Sequence, residues 1–369
     1  MGQDSSHLRI SLLTCTPGEE LYSTFGHSAL RIVDSSERDN SNRISDIVYN
    51  YGTFNFDDEG FYLKFIRGKL LYYISRAYFD EFVYEYQESN RGITEQLLNL
   101  SEGEKRNIVQ LLSENLKEEN KYYKYDFFLD NCTTRLRDMI VKSKHPIPAL
   151  PAVMPLNTTF RNAIHLYLDS NKQYWSKLGI DILLGVPTDA IMTKEQQQFL
   201  PDNLMTALDR TGNVKIITSS KKLYNLQQPS GNFSWFTPIV FFVSLLFLFI
   251  ALDLSKNKQM QMILAGLDGF LFFLIGLLGI LLIFMMTATD HSMTKNNYNI
   301  LWAWPTHIIV SFFINSKKKF IKKYFLVSSV CLVLILLSWF FLPQQMSPAL
   351  IPLVLLLMYR SLSRYLRSI

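Results

Sequence analysis

The stretch Tyr125-Asp126-Phe127-Phe128-Leu129-Asp130-Asn131-Cys132-Thr133-Thr134-Arg135-Leu136-Arg137-Asp138 decides how the front of this chain is read. An aromatic run ends in a polar turn, Asp130-Asn131, and Cys132 opens a segment whose apolar residues, Leu136, Met139 and Ile140, fall at helical spacing. Cys132 is therefore expected at a helix N-terminus. Unpaired N–H groups and the positive end of the helix dipole favour an anion there, so the thiol pKa falls and the thiolate becomes a usable nucleophile. The same N–H groups can hold a developing oxyanion. Read alone, such a cysteine is more often a buried structural residue behind an ordinary Asx cap.

The upstream residues tip the balance. Pro17-Gly18 is turn chemistry, Glu19 to Phe25 can make a helical turn or two, and Gly26 releases the backbone into a strand with His27 at its first position. A polar loop, Asp34 to Ser45, separates it from a second strand, Asp46 to Gly52, which predicts an antiparallel pair with His27 and Asn50 near neighbouring ends. A cysteine nucleophile needs a base and a polar group to orient that base, and Cys, His and Asn can supply these from distant positions. The usual papain order is Cys, His, Asn, whereas here it is His27, Asn50, Cys132, the order of a circularly permuted arrangement.

These residues resemble the permuted papain-like superfamily that includes lecithin:retinol acyltransferase. A longer match, through Thr14-Cys15-Thr16-Pro17-Gly18, Phe25-Gly26-His27-Ser28-Ala29-Leu30-Arg31, Val48-Tyr49-Asn50-Tyr51-Gly52-Thr53-Phe54 and Asp130-Asn131-Cys132-Thr133-Thr134-Arg135, is to the Bacteroides-type lipoprotein N-acyltransferase family, Lnb. The resemblance implies an α+β, permuted papain-like (NlpC/P60-type) catalytic domain followed by an all-α transmembrane bundle. It also implies transfer of a fatty acyl chain from a phospholipid to the α-amino group of a diacylated lipoprotein's N-terminal cysteine. Cys132 matches the nucleophile and His27 the base. Asn50 stands where related acyltransferases tend to place a second histidine. Tyr49, Tyr51, Cys15, Asn131 and Arg135 are the expected substrate contacts, although Cys15 is either at the cleft edge or a small core residue.

The rest of the chain divides by composition. The expected domains are 1–144 (catalytic), 145–230 (a mainly helical extension or cap, after the prolines at 146, 148, 151 and 155) and 231–369 (membrane). Phe54 to Tyr86 is rich in Tyr and Phe with Arg67 and Lys69 among them; these are core-facing aromatics or a membrane-facing lip. Glu95 to Asn120 reads as one or two helices, with Ser101 and Glu104 at capping-box spacing. Thr158 to Lys177 looks helical. Five apolar stretches follow: Phe236–Leu252, about 262–288, about 300–314, Tyr324–Leu342 and about 348–359. Lys256, Lys258, the lysines at 317–323 and Arg360, Arg364 and Arg367 fall on alternate links, which predicts the front domain outside and the C-terminus in the cytoplasm of a bacterial inner membrane. His307, in the third stretch, lines a lipid groove or bonds between helices, with Trp302 and Trp304 as interface anchors.

Composition narrows the function classes. The 369 residues are 48% hydrophobic, with 27 Phe and a net charge of +5, which suits neither a disordered chain nor a fully soluble one. No nucleic-acid partner and no cofactor are expected. His145 and His165 have no partner at ligand spacing, so no metal is expected either. Three cysteines, Cys15, Cys132 and Cys331, make no disulfide framework, and a Cys15–Cys132 bridge would consume the best nucleophile. Met1-Gly2-Gln3-Asp4 does not open a signal peptide, so an exported front domain would be numbered from a mature or engineered start. A membrane-anchored cysteine peptidase or amidase is the alternative enzyme; a binding module on an anchor is the non-enzymatic one.

Overall fold

Leu8–Cys15, eight residues with few polar breaks, form β1, which is buried along most of its length because it lies inside a sheet covered on both faces. The computed structural model describes residues 7–38, 42–224 and 235–367. The chain divides into two units, Met1–Asn171 with Ile191–Gly231 and Lys172–Ala190 with Asn232–Ile369. The boundary expected at 230/231 lies outside the described residues.

In the first unit β1 is joined by β2 (His27–Arg38), β3 (Ile44–Thr53), β4 (Leu71–Tyr78), β5 (Ile93–Leu98), β6 (Tyr122–Lys124) and β7 (Ile217–Tyr224). They form one antiparallel sheet in the order β6-β4-β3-β2-β1-β5-β7. The helices in chain order are α1 (Phe61–Ile66), α2 (Phe79–Glu88), α3 (Glu102–Asn115), α4 (Glu118–Lys121), α5 (Cys132–Ser143), α6 (Phe160–Ser170), α7 (Tyr174–Leu183) and α8 (Pro201–Asp209); α7 belongs to the second unit.

Alternation along the strands sorts the core into two layers. Leu12, Leu30 and Tyr51 meet Ile108 and Leu112 of α3, Leu136 and Ile140 of α5 and Leu204 of α8. On the other layer Leu13, Ala29 and Val48 meet Phe82 and Val83 of α2. Arg31 pins the sheet laterally, with ion pairs to Asp46 at 2.6 Å and Glu95 at 3.1 Å and its guanidinium over Phe79.

Several expectations need correction. Residues 95–98 belong to β5, where cross-strand partners on β1 and β7 outweigh the helical preference of Glu, Gln and Leu. The helix begins after Ser101, whose capping box with Glu104 forms as expected. Glu19 to Phe25 yields only a short 3₁₀ turn, Leu21–Ser23. The Asp34–Ser45 loop is shorter than expected because β2 runs on to Arg38, paired with Ile44 across an irregular register. Thr158 to Lys177 splits into α6 and α7, with Lys172 between them at φ 54°.

The second unit adds α9 (Pro238–Leu254), α10 (Lys258–Thr287), α11 (His307–Ser311), α12 (Lys319–Ser338) and α13 (Ile351–Arg367). Among the described residues three helices are long and apolar enough to cross a membrane: Lys258–Thr287, Lys319–Ser338 and Pro348–Arg367, the last counting the 3₁₀ turn before α13. Pro238–Leu254 is shorter. The third apolar stretch is no continuous helix. It holds a 3₁₀ turn, Tyr298–Leu301, then Trp304-Pro305 and the five-residue α11. This segment runs antiparallel to α10, on a face kept small by glycine. A Cβ on Gly276 would meet the Ile308 nitrogen at 2.2 Å, and one on Gly279 the Ala303 carbonyl at 2.2 Å.

Charge inside this unit is paired. Asp268, fully buried on α10, takes Arg360 through both carboxylate oxygens at 2.7 and 2.8 Å, and also Arg364. Asp253 at the end of α9 takes Arg360, Arg367 and the Tyr359 hydroxyl. His307 is buried and its Nδ1 lies 2.7 Å from the Tyr324 hydroxyl, so it bonds between segments. Trp302 is fully buried, with Nε1 donating to Asn299, and is no interface anchor.

Candidate active site

The turn before α5 builds the site locally. Asn131 is the N-cap: its Oδ1 accepts from the Thr134 N–H at 2.9 Å, and the Thr134 hydroxyl accepts from the Asn131 N–H at 2.8 Å. Its Nδ2 donates to the Phe127 carbonyl at 2.7 Å and to the Phe199 carbonyl at 2.9 Å. Cys132 thereby becomes the first residue of α5, as the sequence predicts. Asn131→Ala should cost about 1–2 kcal/mol of stability, the usual loss of a cap and more for the two buried carbonyls it strands. The check is the urea midpoint of unfolding, where an unchanged value would contradict this role.

His27 enters from β2. Gly26 precedes it at φ +78°, and a Cβ there would lie 2.6 Å from the Cys15 carbonyl, so only glycine fits. His27 Nε2 lies 3.2 Å from Asn50 Oδ1 on β3. An amide oxygen only accepts, so Nε2 carries its hydrogen and Nδ1 is the nitrogen left to take a proton. The ring and the Cys132 thiol are electrostatically coupled, each favouring the charged form of the other. The structure thus brings together Cys132, His27 and Asn50.

Electrostatics favour the ion pair. Burial pushes the Cys132 thiol up, but the His27 charge and hydrogen bond, the Ser28 backbone N–H and the Thr133 hydroxyl outweigh it and leave the pKa at about 7. For His27 burial works downward, and the thiolate and Asn50 overcome it, so its pKa stands above the ordinary imidazole value. Cys132 is buried, with 8% of its surface exposed.

The expected substrate contacts fare unequally. Cys15 is fully buried, and burial pushes its thiol up to about 12 against the pull of Arg91 and a hydrogen bond with Tyr86; it is a core residue beside His27 in the sheet. Tyr51 is buried, its hydroxyl 2.5 Å from Asn115 Nδ2. Asn131 spends its amide on the cap. Arg135 pairs with Asp130 at 2.6 Å and lies over the Tyr123 ring at 3.4 Å. Tyr49 is half-buried, with Arg76 as its hydroxyl's partner. All three cysteines are free.

Sequence reasoning missed Ser28 and Thr133. The Ser28 hydroxyl meets that of Thr133 at 3.0 Å, tying β2 to the first turn of α5, while the Ser28 N–H reaches the sulfur. Both residues sit beside the motif residues, which was the available signal. Phe199 gave none: its role is carried by a carbonyl.

A family model described as the Lnb N-terminal periplasmic domain matches residues 3–163, and one described as the Lnb transmembrane domain matches residues 230–369. No curated protein and no solved structure matches the chain. The chain therefore belongs to the Lnb family, an enzyme family of lipoprotein N-acyltransferases built from a periplasmic N-terminal domain and a transmembrane domain.

Proposed function

We propose that this protein moves a fatty acyl chain from a phospholipid, through a thioester on Cys132, to the α-amine of a diacylated lipoprotein's N-terminal cysteine. The observation that carries the reading is a thiol of lowered pKa at a helix N-terminus, in contact with a histidine held by Asn50. In the first half-reaction the Cys132 thiolate attacks the ester carbonyl. First-turn N–H groups not taken by the Asn131 cap face the developing oxyanion. The C–O bond breaks, and the His27 imidazolium gives its proton to the departing lysophospholipid alkoxide. In the second, the lipoprotein amine attacks the thioester and His27 accepts its proton. The C–S bond breaks and an amide remains.

The strand-and-helix placement of His27, Asn50 and Cys132 is what a permuted papain-like domain would give. For the membrane unit the reading is five crossings with the C-terminus in the cytoplasm of the inner membrane. The 303–311 segment returning along α10 would be the third, not helical throughout. Arg360, Arg364 and Arg367 are engaged with Asp253 and Asp268, so the orientation argument rests on Lys256, Lys258 and the lysines at 317–323.

The reading is tested by incubating the purified protein with phospholipid and a synthetic diacylated lipopeptide and sequencing the product by mass spectrometry. An added acyl group on the α-nitrogen is expected. Free fatty acid or cleaved peptide in its place would sink it.

A further inference from the structure

A run of touching rings leads away from Cys132. Gly52 stands at its head: a Cβ placed there would lie 3.9 Å from that of Cys132 and 3.3 Å from the Tyr125 ring. The Tyr125 ring and the cysteine thus lie on the same side of Gly52. Tyr125 stacks on Tyr72 with centroids 4.4 Å apart; Phe54 follows at 5.3 Å, Phe61 at 5.9 Å and Phe65 at 6.1 Å.

The far end of this run is open. On α1, Tyr62 is 76% exposed and Leu63 60%, and Phe65 and Ile66 are exposed beside them. Four large apolar side chains held in water on one short helix are unlike the scattered apolar residues of an ordinary surface. The charges around them are of both signs, Asp57 and Glu59 with Lys64 and Lys69, all exposed. That mixture suits the phosphate and ammonium of a zwitterionic phospholipid headgroup better than the surface of a strongly charged partner.

We infer that Tyr125, Tyr72, Phe54, Phe61 and Phe65 form the track along which the transferred acyl chain lies, and that the exposed face of α1 is where that chain leaves the bilayer. The inference rests on the proposed acyl transfer and names the subsite it uses. The ring-to-ring steps add up to about 22 Å, longer than the roughly 15 Å acyl layer of one leaflet, so a long chain would reach the outer rings and a short one only the first. Both ends of the path belong to the same unit as Cys132, and a membrane-embedded unit in the same chain keeps a lipid source at hand.

The test measures loading of Cys132 by p-nitrophenyl esters from butyrate to palmitate, using the full chain in detergent. The wild-type protein should gain up to about fourfold per added methylene until the track is filled. In Leu63→Ser/Phe65→Ser, whose sites are exposed and whose fold should be undisturbed, the palmitate-to-butyrate ratio should fall by at least about tenfold. In Tyr72→Ala the gain should stop at shorter chains. A wild-type protein indifferent to chain length, or a palmitate-to-butyrate ratio unchanged in the exposed double variant, would overturn the track. If long esters load and phospholipid does not, the donor proposed above fails and the track stands.

Discussion

Cys132→Ala is expected to reduce acyl transfer to background, a loss on the order of 10⁴-fold or more, because no covalent intermediate can form. The fold should survive: alanine is a good helix former and the capping box between Asn131 and Thr134 does not involve the thiol. Cys132→Ser should fall almost as far, since an alcohol in this buried place is ionised far less readily than a thiol. The measurement is lipopeptide acylation alongside a thermal melt. Activity within about tenfold of wild type in either variant would remove the thioester from the account.

His27→Gln is expected to lower the rate by about 10²–10⁴-fold and to move the pH dependence. In the native protein the thiol titrates at about 7, so the thiolate grows in as pH rises through neutrality. Removing the imidazolium leaves burial as the dominant influence on the sulfur, and the thiol pKa should rise toward or beyond its ordinary value. The signs of the linked stability follow. Cys132, lowered on folding, stabilises the fold above the pKa of the unfolded thiol and loses that contribution as pH falls through about 7. His27, raised on folding, stabilises it below the ordinary imidazole pKa and loses that contribution as pH rises through the folded value. The rate of Cys132 alkylation by iodoacetamide against pH reads the thiol directly. A midpoint unmoved in His27→Gln would show that the helix terminus alone sets the pKa.

What the sequence made legible was mostly local. The N-cap at Asn131, the box at Ser101 and Glu104, and the glycine before His27 each act within a few residues, and each appears where the spacing puts it. The pairing of β2 with β3, and with it the approach of His27 to Asn50, followed from alternation and a single polar loop. Distant partners were not legible. β7 joins the sheet edge through β5, more than a hundred residues earlier, and its Thr-Ser-Ser-Lys-Lys stretch carries little apolar alternation. The same partnership turns residues 95–98 into a strand. Hydropathy found the three helices long and apolar enough to cross a membrane but not the break at Trp304-Pro305, because it weighs apolarity and not backbone continuity. The expected substrate contacts show the remaining gap. Residue type marks Cys15, Tyr51 and Asn131 as polar groups near the motifs, yet only packing shows that their polar atoms are engaged inside the fold.

The central claim, that Cys132 carries the acyl chain, is tested most directly by the intact mass of the purified protein after incubation with phospholipid alone. The account predicts one added acyl group, removed by hydroxylamine and absent in Cys132→Ala. Lipopeptide acylation by a protein that never acquires the increment, or an increment that persists in Cys132→Ala, would contradict it.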